Sequence, residues 1–433
     1  MEERTYHGYW WKPSEPEERY PGVLAIGSDG ALSLELIGGF DLTNRTPLEG
    51  GGWAVGFSDQ ELPLVCGESE GTAITLLNCH NLQSRGGWFV PGYGPTFQRL
   101  YAQRALIGAH LEDQAVEIFR RATARFENLT AWLGRPAMAR TLGFENDVAK
   151  AELRSLPQTK VVVDGWTYQV GESLRGFNFE TYRERHVVSG DATSELTIIP
   201  PTPAGISAFD RVTTEFMDLL TLATGEACGL ISLILDLPDD LVIELAEGAQ
   251  RREPKQAELI GRRVHTASPD APAVRPHDLL FSCNDMPFEE AVPAWLGVRR
   301  RAASPCNVFF GMKYARPGFT ETRLLLAAVT VESLDQALTG QRRSFRQRAK
   351  RLATIPSATI VGKIIPDIDS WSAQLAKARN GLAHDAAVGV SAGLFGLEMR
   401  TTALISLVFM TQIGISEEVQ RRAAETVLRV DVD

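Results

Sequence analysis

Residues 379–384 read Arg-Asn-Gly-Leu-Ala-His and set a permanent cation, an amide and a titratable imidazole within six positions. A guanidinium grips non-bridging phosphate oxygens through its planar fork of donors. An imidazole takes or gives a proton near neutral pH. The pair suits chemistry on a phosphodiester. On RNA it calls for no metal and no cofactor, because the ribose 2′-hydroxyl is the nucleophile. A structural role competes with this reading: Asn380-Gly381 would be an ordinary helix C-cap, with Arg379 and His384 well placed at the negative end of the dipole. Spacing alone favours the cap. Position favours chemistry, since the motif follows an Arg-rich helix and precedes a buried one.

The elements that must position these residues are helical. One helix is expected from about Thr320 to Leu338, with Leu324, Ala328, Val331, Leu334 and Leu338 on one stripe. The stretch Arg342–Arg351 follows, with six basic side chains (Arg342, Arg343, Arg346, Arg348, Lys350, Arg351) and no acidic one. It reads as a helix that either tracks phosphates or is a solvated face. A helix over about 369–380 puts Trp371, Leu375, Ala378 and Leu382 on one face. The run 391–414 is apolar nearly all round, so that helix is central, with Gly414 as its C-cap. Ser416 caps a last amphipathic helix to about Arg429. This is a helical bundle, and it begins near Arg316-Pro317-Gly318.

The preceding chain reads differently. Residues 1–95 hold short apolar runs between Gly- and Pro-rich turns, an all-β pattern. From 101 to 133, Leu106, His110, Val116, Phe119 and Phe126 predict one or two helices, with His110 as a satisfied core histidine. Residues 159–199 return to strands; a helix over 207–223 and a strand-like run over 229–235 follow. Residues 250–305 look loop-rich with short strands, and Arg299-Arg300-Arg301 reads as a solvated loop. The expected fold is therefore multidomain α+β: a β-rich region over 1–317, divided into 1–200 and 201–317, then an all-α bundle over 318–433.

Composition sets bounds on function. With 433 residues, 44% hydrophobic and 23% charged, the chain has ample core for two or three domains. The acidic N-terminus lacks an apolar run, and the longest apolar stretch, 403–415, is 13 residues, short of a membrane span of roughly 20. Five dispersed cysteines fit reduced thiols, and hence a cytoplasmic location. Net charge is −10, but residues 318–433 carry 14 basic and 12 acidic side chains, so that part is net +2 and the remainder net −12. The region with Arg379 and His384 is the one not repelled by a polyanion.

Residues 318–433 resemble a HEPN domain, a helical bundle marked by Arg, a polar residue and, a few positions later, His; Arg379, Asn380 and His384 match in order. The run Arg323–Leu334, including Glu332, resembles the first helix of the ApeA-like HEPN branch. Gly8–Trp11, Gly22–Leu24, Leu34–Leu36, Ile74–Cys79 and Phe126–Trp132 resemble the N-terminal domain that accompanies that branch. The resemblance implies a bacterial anti-phage defence protein, acting in abortive infection, whose HEPN part is a metal-independent endoribonuclease. His384 would be general acid or base, Arg379 would stabilise the phosphorane, and Asn380 would orient one of them. Glu332 would orient Arg379, although an exposed helix carboxylate is the more ordinary role. The resemblance also implies a homodimer, RNA (transfer RNA included) as substrate, and a phage-derived trigger at a restraining N-terminal domain. Two alternatives stay open: a non-catalytic HEPN module that binds RNA or dimerises, and a ligand-binding β-domain with a helical scaffold.

Other candidates are weaker. Gly389–Gly393 fits a nucleophile elbow but lacks a strand before it and a His after it. No cysteine or histidine cluster has metal-ligand spacing. Tyr9, Trp10, Trp11, Trp53, Trp88 and Tyr93 are expected in a β-domain core more than on a sugar or base.

Overall fold

Period-two burial builds the first part of the chain. Over 32–37, Leu32, Leu34 and Leu36 are buried while Ser33, Glu35 and Ile37 face away. The computed structural model describes residues 2–48, 53–57, 61–85, 95–134, 138–142, 149–153, 158–244, 250–268, 270–384 and 393–428. Its first strands are β1 (Arg4–Trp11), β2 (Tyr20–Ile26), β3 (Leu32–Ile37), β4 (Thr43–Pro47), β5 (Trp53–Phe57), β6 (Glu61–Ser69), β7 (Thr72–Arg85), β8 (Phe97–Ile107) and β9 (Arg121–Phe126). Then come α1 (Leu129–Leu133), β10 (Met138–Leu142), β11 (Ala149–Leu153), β12 (Thr159–Val163), β13 (Trp166–Thr181) and β14 (His186–Ile199). Helix α2 (Ile206–Thr224) precedes β15 (Leu230–Glu244) and β16 (Gln250–Gly261). Among the described residues the rest is helical: α3 (Phe288–Arg301), α4 (Ala303–Ala315), α5 (Thr320–Thr339), α6 (Phe345–Leu352), α7 (Ala358–Ile364), α8 (Ile368–His384), α9 (Leu394–Ile413) and α10 (Glu417–Thr426), with one 3-10 turn at Pro276–Asp278.

Two compact units are interleaved along the chain. The first comprises Met1–Arg125, Thr197–Arg211 and Leu230–Ser268; the second comprises Phe126–Leu196, Val212–Gly229 and Pro269–Asp433. Neither ends at 317 or 200, the boundaries expected from the sequence.

In the first unit β1, β2, β3, β8, β7 and β6 pair antiparallel in that order, and β6 returns to β1. The ring is a closed barrel, which removes free strand edges. Beyond β3, the Arg104–Ile107 end of β8 pairs with β16, and β15 and β9 continue from there. Trp10, Leu24, Leu34, Val65, Leu76 and Leu100 belong to one continuous core. Trp10 stands opposite Gly67 in the β1–β6 register, where a Cβ would overlap its ring. Trp10 and Trp11 are thus core, whereas Tyr9 is exposed. Trp88, Tyr93 and the side chain of Trp53 lie outside the described residues.

The helices expected over 101–133 are instead β8, β9 and the single turn α1. The buried faces are Leu100, Ala102 and Ala105 in β8 and Ala122, Ala124 and Phe126 in β9. Alanine at inward positions is small and a good helix former, so the alternation is muted. His110 is not core either: it is an exposed loop residue, with Nε2 at 2.8 Å from the Gly67 carbonyl and its ring edge-on to Trp11.

Over 250–305 a strand is present as expected, though long (β16), and the described residues of 262–287 are mostly loop; the unexpected part is helical, α3 and the start of α4. Pro293 inside α3 and the Arg triplet at its end disguise it. Arg299 is buried: its guanidinium donates to Asp218 Oδ2 at 2.8 Å and to the Ala303 carbonyl at 3.1 Å. Tyr314 donates to the other oxygen of Asp218 at 2.7 Å. Ring centroids of Trp295, Phe309, Phe310 and Phe409 lie 5.1 to 6.1 Å apart, so α3 and α4 share a core with α9. Helix α4 also packs along α5, across the sequence position 317.

Helix α9 is central, touching α3, α5, α6, α7, α8 and α10. By composition it is the one described helix long and apolar enough to cross a membrane, and 67% of that window is buried inside the protein. Gly414 ends it at φ 90°, and Ser416 Oγ then accepts from the Val419 N–H to start α10. All five cysteines are free thiols.

Candidate cationic site on α5, α6 and α8

Helix α8 forms on a stripe of Trp371, Leu375 and Ala378, all buried, and Asp367 Oδ1 accepts from the Ser370 N–H at its start. Trp371 Nε1 donates to Thr401 Oγ1 of α9 at 3.2 Å, fixing the rotation of the helix. The helix does not stop at Asn380-Gly381. It runs on to His384, because Leu382 continues the apolar spacing. Residues 379–384 are therefore helical rather than a cap, and residue 384 lies about 7.5 Å further along the axis and about 140° around it from residue 379. The side chain of His384 lies outside the described residues, as do residues 389–392 of the elbow-like stretch.

Arg379 is held from three sides. Its Nη2 donates to Glu332 Oε2 of α5 at 3.2 Å, and its Nη1 donates to Asn380 Oδ1 at 3.2 Å. Its guanidinium carbon sits 5.7 Å above the Phe345 ring of α6, a cation–π contact. The side chain keeps 32% of its surface open to solvent. Glu332, Arg379 and Asn380 are thus brought together.

The basic stretch is largely paired. Each of three carboxylates takes two cations: Glu332 takes Arg348 and Arg379, Asp335 takes Arg343 and Arg351, and Asp369 takes Arg346 and Lys350. Arg348 is 11% exposed and donates to the carbonyls of Glu332 at 2.9 Å and Arg343 at 3.0 Å. Asp335 is fully buried, so Arg343 and Arg351 turn inward to it. Arg346 and Lys350 remain partly open, and the Lys350 ammonium holds Asp369 below the usual carboxylate range. Arg342 has no ion-pair partner among the described residues. Seven cations against three carboxylates leave an excess of positive charge beside Arg379.

Asp335, Asp369 and Phe345 were not anticipated. The signal was present as spacing: Glu332 and Asp335 are three apart on α5, as are Arg348 and Arg351 on α6.

An α+β chain with a closed barrel and a C-terminal set of helices carrying a cationic cluster defines the class. The profile of the ApeA N-terminal domain 1 family matches residues 5–295, well over half of the chain. The chain belongs to that family, and membership is consistent with an effector role in anti-phage defence. The match ends inside α3, before the helices that hold Arg379. No curated protein and no solved structure matches the chain.

Proposed function

We propose that the protein is an anti-phage endoribonuclease whose C-terminal helices form a HEPN domain acting without metal. The observation that carries this reading is Arg379: a guanidinium oriented by Glu332, Asn380 and Phe345, yet one-third open to solvent, five residues before His384 in one helix. The 2′-hydroxyl attacks its neighbouring phosphorus, and His384 accepts the hydroxyl proton. Arg379 neutralises the charge that builds on the phosphorane oxygens. The P–O5′ bond breaks, and a second imidazole protonates the leaving 5′-oxygen. The products are a 2′,3′-cyclic phosphate and a 5′-hydroxyl. The motif holds one histidine and so one proton carrier, and a homodimer pairing two copies of the motif supplies both. Arg342, Arg346 and Lys350 draw in RNA, with transfer RNA as the first substrate to try, in the cytoplasm. The N-terminal barrel restrains the nuclease until a phage-derived trigger binds.

The test is incubation of purified protein with total RNA and EDTA, followed by mapping of the ends. Cyclic phosphate ends made by the wild type and lost in His384→Ala are expected. A second reading, a non-catalytic RNA-binding helical module, is favoured by the pairing of Arg379 with Glu332, which spends that charge inside the fold. It predicts unchanged RNA ends with either protein.

A further inference from the structure

The second unit contains a cavity of about 750 Å³, walled by the end of α2, residues 272–275, the end of α4, the start of α5, and α9. That volume is in the range of small-molecule sites. Its wall is mixed: Met312, Met399, Ala403, Val427 and Leu428 are apolar, Arg275, Lys313, Arg316 and Arg323 are cationic, and Glu226, Asp278 and Glu398 are acidic.

Two of the cations are committed. Lys313 Nζ donates to the Gly225 carbonyl at 2.7 Å. Arg323 lies 3.7 Å from Glu398 and donates to the Pro317 carbonyl and Thr320 Oγ1, each at 3.3 Å. Arg275 and Arg316 have no ion-pair partner among the described residues. Arg316 carries a second anomaly: it closes α4 at φ 43°, ψ 62°, with its N–H donating to the Met312 carbonyl. Glycine adopts that left-handed conformation without strain, and a side chain there costs about 1 kcal/mol or more. Burial also lowers Lys313 to about 8, so an anion beside it would restore support for its charge.

We propose that this cavity binds a mononucleotide. The phosphate lies against Arg316 and Arg275, the base packs on the thioethers of Met312 and Met399, and Glu226 and Asp278 accept from amino or ribose hydroxyl groups. This site is separate from Arg379 and does not rest on RNA cleavage.

Calorimetric titration of the full-length protein with AMP, GMP, adenosine and inorganic phosphate tests it. A nucleotide should bind at least about tenfold more tightly than adenosine or phosphate alone. Arg316→Gly removes the guanidinium and relieves the backbone, so the fold should keep or raise its melting temperature while nucleotide affinity falls at least about tenfold. Arg379→Ala should bind as the wild type does. Absence of nucleotide binding, equal binding by Arg316→Gly, or loss of binding in Arg379→Ala would each overturn the proposal.

Discussion

Glu332 of α5 and Arg379 of α8 meet at 3.2 Å, and the same carboxylate lies 3.7 Å from Arg348 of α6. One acid thereby locks two cations from two other helices. Arg379 is pinned in direction while its outer surface stays wet. A side chain so fixed loses little freedom when it meets a phosphate, which is how a preorganised cation outperforms a loose one.

Glu332→Gln should leave Asn380 and Phe345 in contact with Arg379 but remove the opposing charge. RNA cleavage in EDTA is expected to fall about tenfold, or about 1.4 kcal/mol of transition-state stabilisation. His384→Ala should cost about 10²- to 10⁴-fold. Initial rates on one labelled RNA compare the two, and equal losses would contradict a merely orienting Glu332.

Asp335 is a buried carboxylate facing two guanidinium groups. Asp335→Ala strands both charges and should destabilise the protein by about 3–5 kcal/mol in urea unfolding. Arg342→Ala, with no ion-pair partner among the described residues, should change stability by less than about 0.5 kcal/mol while weakening RNA retention at low salt.

Lys313 titrates near 8 in the fold against an ordinary 10.5, chiefly because burial disfavours its charge. Between those values the unfolded chain holds a proton that the folded one has released. Stability should therefore rise with pH through that window, by on the order of 2 kcal/mol relative to Lys313→Met. Chemical denaturation of both proteins at pH 7.5 and 10.5 measures the difference, and parallel behaviour would refute it.

Much of this was legible where one signal acted alone. The β3 leucines alternate without interruption, and the α5 stripe of Leu324, Ala328, Val331 and Leu334 is all buried. The pattern failed where two signals conflicted. Ala102, Ala122 and Ala124 face a strand core with a helix former's side chain. Arg299 looks like a solvated charge because Asp218, its partner, is 81 residues away. Glu332, Arg379 and Asn380 could each be named from the sequence, but not the network that joins them. The sequence marks Arg379, yet only packing shows that Phe345 underlies it and that the neighbouring cations are divided among three acids.

Phe409 sits among Trp295, Phe309 and Phe310. Phe409→Ala should cost about 3–5 kcal/mol. A fragment of residues 318–433 lacks the other three rings and should show no cooperative thermal transition, whereas the whole chain should. A sharp transition from the fragment would show that α5–α10 fold without α3 and α4.

That aromatic quartet also fixes a schedule. Phe309 leaves the ribosome 100 residues before Phe409, a gap of roughly 5–20 s at ordinary elongation rates. Throughout that interval the nascent chain displays an uncovered greasy surface, and α9, the helix that covers it, has yet to be made. A chaperone has its opening then, and the core beside the Arg379-bearing helix cannot close until α9 has been made.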